Sequence, residues 1–289
     1  MIKERIHHLR AIMAENKIDA YIIPTADFHE SEYVGDYFKA RKYMSGFTGS
    51  AGTLVVTLTE AGLWTDGRYF IQAARQLDGS DITLYKMGEE GVATIEEFLV
   101  EKMPQNGVLG FDGRVINTKF GLNLKEKLAH KNVTIAYEND LVDSIWTDRP
   151  SLPKDAAFLL DIKYAGKSSN DKLAQLREEL KKQDATVHII TSLDDIAWLF
   201  NIRGNDIEYN PVVLSYAIIT LDKAYLFIDQ DKLDDKIQSQ LVSDKVEVKD
   251  YNEIYEFVKT IDVKESVLLD TNKVNYAIYH NLNQEIKVI

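Results

Sequence analysis

Apolar positions first recur at helical spacing. Ile6, Leu9 and Met13 form one stripe, which predicts an amphipathic first helix. Tyr21-Ile22-Ile23 follows as a short continuous apolar run of the kind that forms a buried strand. Leu54-Val55-Val56-Thr57 and Leu63-Trp64-Thr65-Asp66 lie close together and each ends in a polar residue, the pattern of two neighbouring strands in a hairpin. Ile82 to Tyr85 and Val108 to Asp112 complete a first set of predicted strands.

The same pattern then returns. Leu173, Leu176 and Leu180 repeat Ile6, Leu9 and Met13 at a constant offset of 167, and His188-Ile189-Ile190 repeats Tyr21-Ile22-Ile23 at that offset. Ala217-Ile218-Ile219-Thr220 and Leu226-Phe227-Ile228-Asp229 repeat the hairpin at an offset of 163, and Ser266 to Asp270 repeats Val108 to Asp112 at 158. Val246 to Lys249 and Ile286 to Ile289 read as further strands. Each half thus reads helix, strand, helix, hairpin, helix, strand, helix, strand, which predicts an α/β fold with a mixed sheet flanked by helices, present twice. Between the halves, Trp146-Thr147-Asp148-Arg149-Pro150-Ser151-Leu152-Pro153 holds two of the five prolines, and each pushes its predecessor out of helical geometry. The expected organisation is a first domain over 1–145, an extended linker over 146–153 and a second domain over 154–289.

Composition narrows the function classes. The 289 residues include no cysteine, which excludes disulfide scaffolds, thiolate-held metals and thiol catalysis. A net charge of −12 repels a phosphate backbone, so no nucleic acid is expected as a partner. Neither a leader-like apolar segment nor a run long enough to span a bilayer is present, so no membrane association is expected and the location expected is cytoplasmic.

Candidate chemistry is sparse. None of the six histidines falls in a zinc-binding His-Glu-x-x-His spacing. His7 and His8 fall on the polar side of the first helix, and His188 within a strand reads as a satisfied core residue. Asp27-Phe28-His29-Glu30-Ser31-Glu32 is the densest polar cluster; Asp27 capping a following helix, with Glu30 three residues on, explains it better than a metal site. Ala165-Gly166-Lys167-Ser168 lacks the earlier glycine of a phosphate loop, where Asp161 stands, and Ser168 to Asn170 read as a helix cap.

Two segments rise above this background. Ser45-Gly46-Phe47-Thr48-Gly49-Ser50-Ala51-Gly52 places three glycines at three-residue intervals ahead of a strand, which suits close backbone approach or positive φ. Trp64-Thr65-Asp66-Gly67-Arg68-Tyr69-Phe70 ends a strand in an Asp-Gly turn that would hold Arg68 at a sheet edge, where an arginine offers a planar donor fork to carboxylate or peptide oxygens. Gln230-Asp231 occupies the equivalent place in the second half, so the scaffold itself does not require an arginine there.

These segments, with Asp27-x-His29-x-Ser31-Glu32-Tyr33 ahead of them, resemble the N-terminal domain of cytosolic aminopeptidase P, the three-domain Xaa-Pro aminopeptidase of the creatinase and prolidase superfamily. Trp146 to Pro150 resembles its interdomain linker. Leu193-Asp194-Asp195-Ile196-Ala197-Trp198-Leu199-Phe200-Asn201-Ile202-Arg203-Gly204, with Asn210-Pro211 and Ser215-Tyr216-Ala217, resembles its middle domain.

The resemblance implies two creatinase N-terminal-like domains from a metallopeptidase that removes the residue preceding a penultimate proline. The family's catalytic domain holds two divalent ions, usually manganese, through two Asp, one His and two Glu, and none of those ligand motifs occurs here. The chain is therefore expected to be a non-catalytic N-terminal part, inactive alone and binding no metal, that gates and binds peptide substrate for its own C-terminal catalytic domain. Arg68 is the substrate-binding residue the resemblance carries over; Arg203 reads equally well as a structural ion pair. Two other readings remain: a prolidase-like dipeptidase fragment, disfavoured by the tandem repeat, and a non-enzymatic peptide-binding or protein-binding module. A monomer is expected.

Overall fold

The computed structural model describes residues 1–289. The chain divides into two compact units, one of residues 1–27 and 36–151, the other of 28–35 and 152–289.

The first unit runs α1 (Ile2–Glu15), β1 (Ala20–Pro24), α2 (Ala40–Ser45), β2 (Thr53–Thr57), β3 (Ala61–Thr65), α3 (Phe70–Gln76), β4 (Thr83–Lys86), α4 (Ile95–Lys102), β5 (Val108–Phe111), α5 (Thr118–Leu128) and β6 (Thr134–Ala136). Its strands form one six-stranded sheet in the order β4-β3-β2-β1-β5-β6. Only β2 is antiparallel to its neighbours; β1 pairs in parallel with β5, β3 with β4 and β5 with β6. The α1 stripe of Ile6, Leu9 and Met13 is buried, with Tyr21, Ile23, Leu54, Val56 and Leu63 from the central strands in the same core. Burying such side chains contributes about 1.5–3 kcal/mol each, which is why the helical stripe and the strand runs are readable together.

The second unit contains β7 (Phe158–Leu159), α6 (Ile162–Ala165), α7 (Ser169–Lys182), β8 (Val187–Ile190), α8 (Leu193–Phe200), β9 (Ile202–Arg203), β10 (Ser215–Thr220), β11 (Ala224–Ile228), α9 (Asp235–Ser243), β12 (Val246–Lys249), α10 (Ile254–Phe257), β13 (Ser266–Leu268), α11 (Tyr276–Asn281) and β14 (Lys287–Val288). Its main sheet, β12-β11-β10-β8-β13-β14, repeats the first strand for strand, again with a single antiparallel member, β10. The mixed sheet flanked by helices, present twice, is thus the observed fold. The first half carries one more helix and strand than the pattern predicts, α5 and β6. In the second half β7 and β9 form a separate two-stranded ribbon.

One local expectation fails. No helix follows Asp27: the chain turns at Phe28 and His29, and helix resumes only at a short 3-10 turn over Asp36–Phe38. The reason is tertiary. His29 is buried in the second unit, with Nδ1 2.9 Å from the Thr191 carbonyl and Nε2 2.6 Å from the Tyr251 hydroxyl, and its ring lies 4.4 Å from that of Tyr216. The Phe28 carbonyl accepts from Asn275 Nδ2 and the Glu30 carbonyl from Lys273 Nζ. These bonds replace those a capped helix would have made.

Candidate functional site

The carboxyl ends of parallel strands are where α/β folds expose turns to ligands. At four such ends the same device recurs: an Asp whose carboxylate accepts the backbone N–H two residues on. Arg68 N donates to Asp66 Oδ1 (3.1 Å), Arg114 N to Asp112 Oδ1 (2.9 Å), Asp231 N to Asp229 Oδ1 (3.1 Å) and Asn272 N to Asp270 Oδ1 (2.9 Å). A short acceptor side chain bonding its own backbone two residues on is the Asx-turn, and it ends a strand cheaply. The Asp is common to all four turns, whereas the residue two positions later is Arg in two of them, Asp in the third and Asn in the fourth.

At the end of β3 the third residue is Arg68. Its Nε and Nη2 grip Asp66 Oδ1 and Oδ2 at 2.9 and 2.8 Å, a bidentate fork. The pair sits in solvent, with 68% of the arginine side chain exposed. The guanidinium holds the Asp66 carboxyl down to about 2, and the carboxylate raises the guanidinium in turn. Arg68 is therefore charged at every physiological pH, and its Nη1 makes no bond within the chain. The strand that presents it is not the sheet edge that the sequence suggests, because β4 pairs outside β3; the residue stands at the strand's end.

The glycine segment lies beside this turn, because β2 is antiparallel and begins where β3 ends. Thr65 Oγ1 donates to the Ala51 carbonyl (2.7 Å), and Thr25 bonds the Gly52 carbonyl through both N–H (2.9 Å) and Oγ1 (2.8 Å). Gly46 closes α2 at φ +73°, in the left-handed region. Gly49 is needed for space: a Cβ there would fall 2.3 Å from Phe47 Cζ and 2.9 Å from Tyr69 Cδ1. That approach brings Ser50 Oγ to 2.6 Å from the Tyr69 hydroxyl, while the Tyr69 ring lies 5.2 Å from the Arg68 guanidinium carbon. Ser50, Tyr69 and Arg68 thus form one polar cluster, of which the sequence motif singled out only the arginine.

The remaining candidates are otherwise engaged. Arg203 donates to the Ala197 carbonyl in the last turn of α8 and to the adjacent Ile202 carbonyl in β9 (3.0 Å), and burial lowers its guanidinium. It makes hydrogen bonds to the backbone where an ion pair was the alternative. His188 is held by the Leu268 carbonyl at 2.9 Å, with burial lowering its imidazole. Ser168 caps α7 through the Asp171 N–H, and Gly166 ends α6 in the left-handed region. The chain has no group of three or more His, Asp or Glu placed to hold a metal ion, so its residues do not fit a dinuclear metal centre.

Both halves match one family: residues 5–144 and 148–289 each match a creatinase/prolidase N-terminal domain. The chain belongs to that family and is built of two such domains in tandem. Within it, the resemblance is to Xaa-Pro aminopeptidases. The probable Xaa-Pro aminopeptidase P of Talaromyces stipitatus is 42% identical over 99% of this chain, and Xaa-Pro aminopeptidase 1 of Dictyostelium discoideum 37% identical over 96%. This chain covers 45% and 46% of those two proteins, so it spans about half the length of the curated relatives it matches. The crystal structure of X-prolyl aminopeptidase from Caenorhabditis elegans, described as a cytosolic enzyme with a di-nuclear active site, superposes with a TM-score of 0.93 at 34% identity, covering all of this chain and 49% of that one. No helix here is long and apolar enough to cross a membrane.

Proposed function

We propose that this chain is the substrate-binding, non-catalytic N-terminal part of a cytoplasmic, metal-dependent Xaa-Pro aminopeptidase, gating and binding peptides whose second residue is proline. In this reading the two divalent ions, manganese in the first instance, belong to a C-terminal catalytic domain of the longer protein, which is also the chain's principal partner. The observation that carries it is Arg68: a permanently charged, exposed guanidinium at a strand end, with Nη1 beyond its fork to Asp66, in a chain whose relatives are named for cleaving X-Pro peptides. A guanidinium with Nη1 unspent suits a peptide carbonyl or terminal carboxylate.

The test is release of the N-terminal residue from an X-Pro peptide with manganese present, comparing these 289 residues with a chain extended to the length of the relatives. Activity in the extended chain alone agrees with the proposal. Hydrolysis by the 289 residues would contradict the non-catalytic assignment, and inactivity of both would move the weight to a binding module without hydrolysis.

A further inference from the structure

Beneath the polar cluster lies a buried cation whose cost packing alone does not explain. Arg41, on α2, is 3% exposed, yet it is bound to neutral oxygens: its Nε donates to Thr25 Oγ1 (2.9 Å), its Nη1 to the Phe47 carbonyl and its Nη2 to the Gly49 carbonyl. Burial lowers the guanidinium to about 10, which leaves it charged at neutral pH. A charge taken out of water and met only by neutral oxygens and the face of the Phe47 ring, 4.7 Å away, is expensive, and an apolar side chain of similar volume commonly serves packing better.

Two of the three bonds go to the glycine segment directly and the third reaches it through Thr25. Phe47 and Gly49 are alternate residues of it, and Thr25 in turn holds Gly52, so one planar fork reaches most of the loop. From α3, Gln76 Oε1 accepts the Thr48 N–H at 2.9 Å, and the Gln72 and Gln76 amides each donate to Thr48 Oγ1 at 2.8 Å. A loop held by both α2 and α3 presents Ser50 in one place, 2.6 Å from Tyr69.

We infer that Arg41 is a positioning residue: its buried guanidinium holds the loop so that the Ser50 and Tyr69 hydroxyls stand beside Arg68 as a preformed hydrogen-bonding set for a peptide main chain. Preorganised polar groups bind more tightly because less ordering is left for the moment of binding. The inference rests on the peptide-binding reading of Arg68. Lysine cannot replace Arg41 here, since a single ammonium does not span three acceptors in a plane.

The experiment uses the full 289-residue chain, an Ala-Pro-Ala tripeptide as probe and calorimetric titration, with amide hydrogen exchange recorded in parallel. Arg41→Lys is expected to bind about tenfold more weakly, to exchange faster at 48–52 and to keep native protection in β2 and β3. In Arg41→Ala, millimolar guanidinium ion is expected to restore both the affinity and the protection. Unchanged affinity in Arg41→Lys would overturn the inference, as would lost affinity accompanied by general loss of protection in β2 and β3. If the unsubstituted chain does not bind the tripeptide, the reading of Arg68 fails separately. Arg41 is then judged on the loop alone: selective, guanidinium-reversible exchange at 48–52 supports it, and unaltered exchange there overturns it.

Discussion

The first unit carries the tripeptide Asp-Gly-Arg twice, and the two copies behave differently. Both end parallel strands of one sheet, and both close with the same backbone bond and the same bidentate fork. At Asp66-Gly67-Arg68 the pair stands in solvent, 37% and 68% exposed; at Asp112-Gly113-Arg114 the carboxylate is 8% exposed and the arginine 32%. The carboxyls consequently move in opposite directions. The Arg68 guanidinium lowers Asp66 to about 2, while burial raises Asp112 in spite of Arg114. One motif therefore makes a structural plug at the end of β5 and an exposed cation at the end of β3, although each strand lies one in from an edge of the same sheet. The tripeptide dictates the turn, and the surroundings decide whether its arginine is spent on the fold.

The comparison can be broken most forcefully at the buried copy. Asp112→Ala removes the buried, bidentate partner of the Arg114 guanidinium and is expected to cost about 2–3 kcal/mol of folding stability, read by denaturant titration. Asp66→Ala, at a solvent-exposed pair, is expected to lower the midpoint only slightly. Equal effects would mean that burial does not separate the two turns.

The intervening glycines give a smaller contrast. A Cβ on Gly113 would meet Tyr137 Cδ2 at 2.9 Å and the Tyr137 carbonyl oxygen at 3.0 Å, whereas on Gly67 the nearest atom is Phe70 Cε2 at 3.9 Å. Gly113→Ala is therefore expected to destabilise by about 1–2 kcal/mol, and Gly67→Ala to be tolerated. A chain that tolerated both equally would show that the backbone at β5 can shift.

Acid titration gives the smallest contrast, one of sign. Asp66 has a folded value below its ordinary one, so its contribution is present above about pH 4 and is lost as the pH falls toward about 2. Asp112 has a folded value above its ordinary one, so its contribution is full below that ordinary value and fades as the pH rises through the folded one. In melting curves between about pH 2 and pH 5, Asp66→Asn is expected to flatten the loss of stability on acidification, and Asp112→Asn to steepen it. Parallel curves would contradict the assignment.

Much of this was legible in the chain. The stripe of Ile6, Leu9 and Met13, its echo in Leu173, Leu176 and Leu180, and the two hairpins specify the sheet because helical and strand periods cannot be exchanged. Arg68 was legible because Asp-Gly after a strand calls for a turn. Arg114 stood in an identical tripeptide and could have been found by asking where Asp-Gly-Arg recurs. Ser50, Tyr69 and Arg41 could not: their meeting depends on Gly49 admitting the Phe47 ring and on a cation bound to main-chain carbonyls, neither of which leaves a spacing signal. The turn at His29 was hidden for a similar reason. Its partners Thr191 and Tyr251 lie 162 and 222 residues away, and local capping logic has no means of weighing them.

The central claim is that Arg68, exposed and with Nη1 left over from its pair with Asp66, holds substrate. It is tested most directly by kcat/KM for an X-Pro tripeptide in a chain extended to the length of its relatives, with Arg68→Ala set beside the unsubstituted protein and thermal melting recorded for both. The account predicts a fall of about tenfold or more in kcat/KM, carried mainly by KM, with the melting temperature unmoved. An unchanged kcat/KM, or a loss explained by a lowered melting temperature, would contradict it.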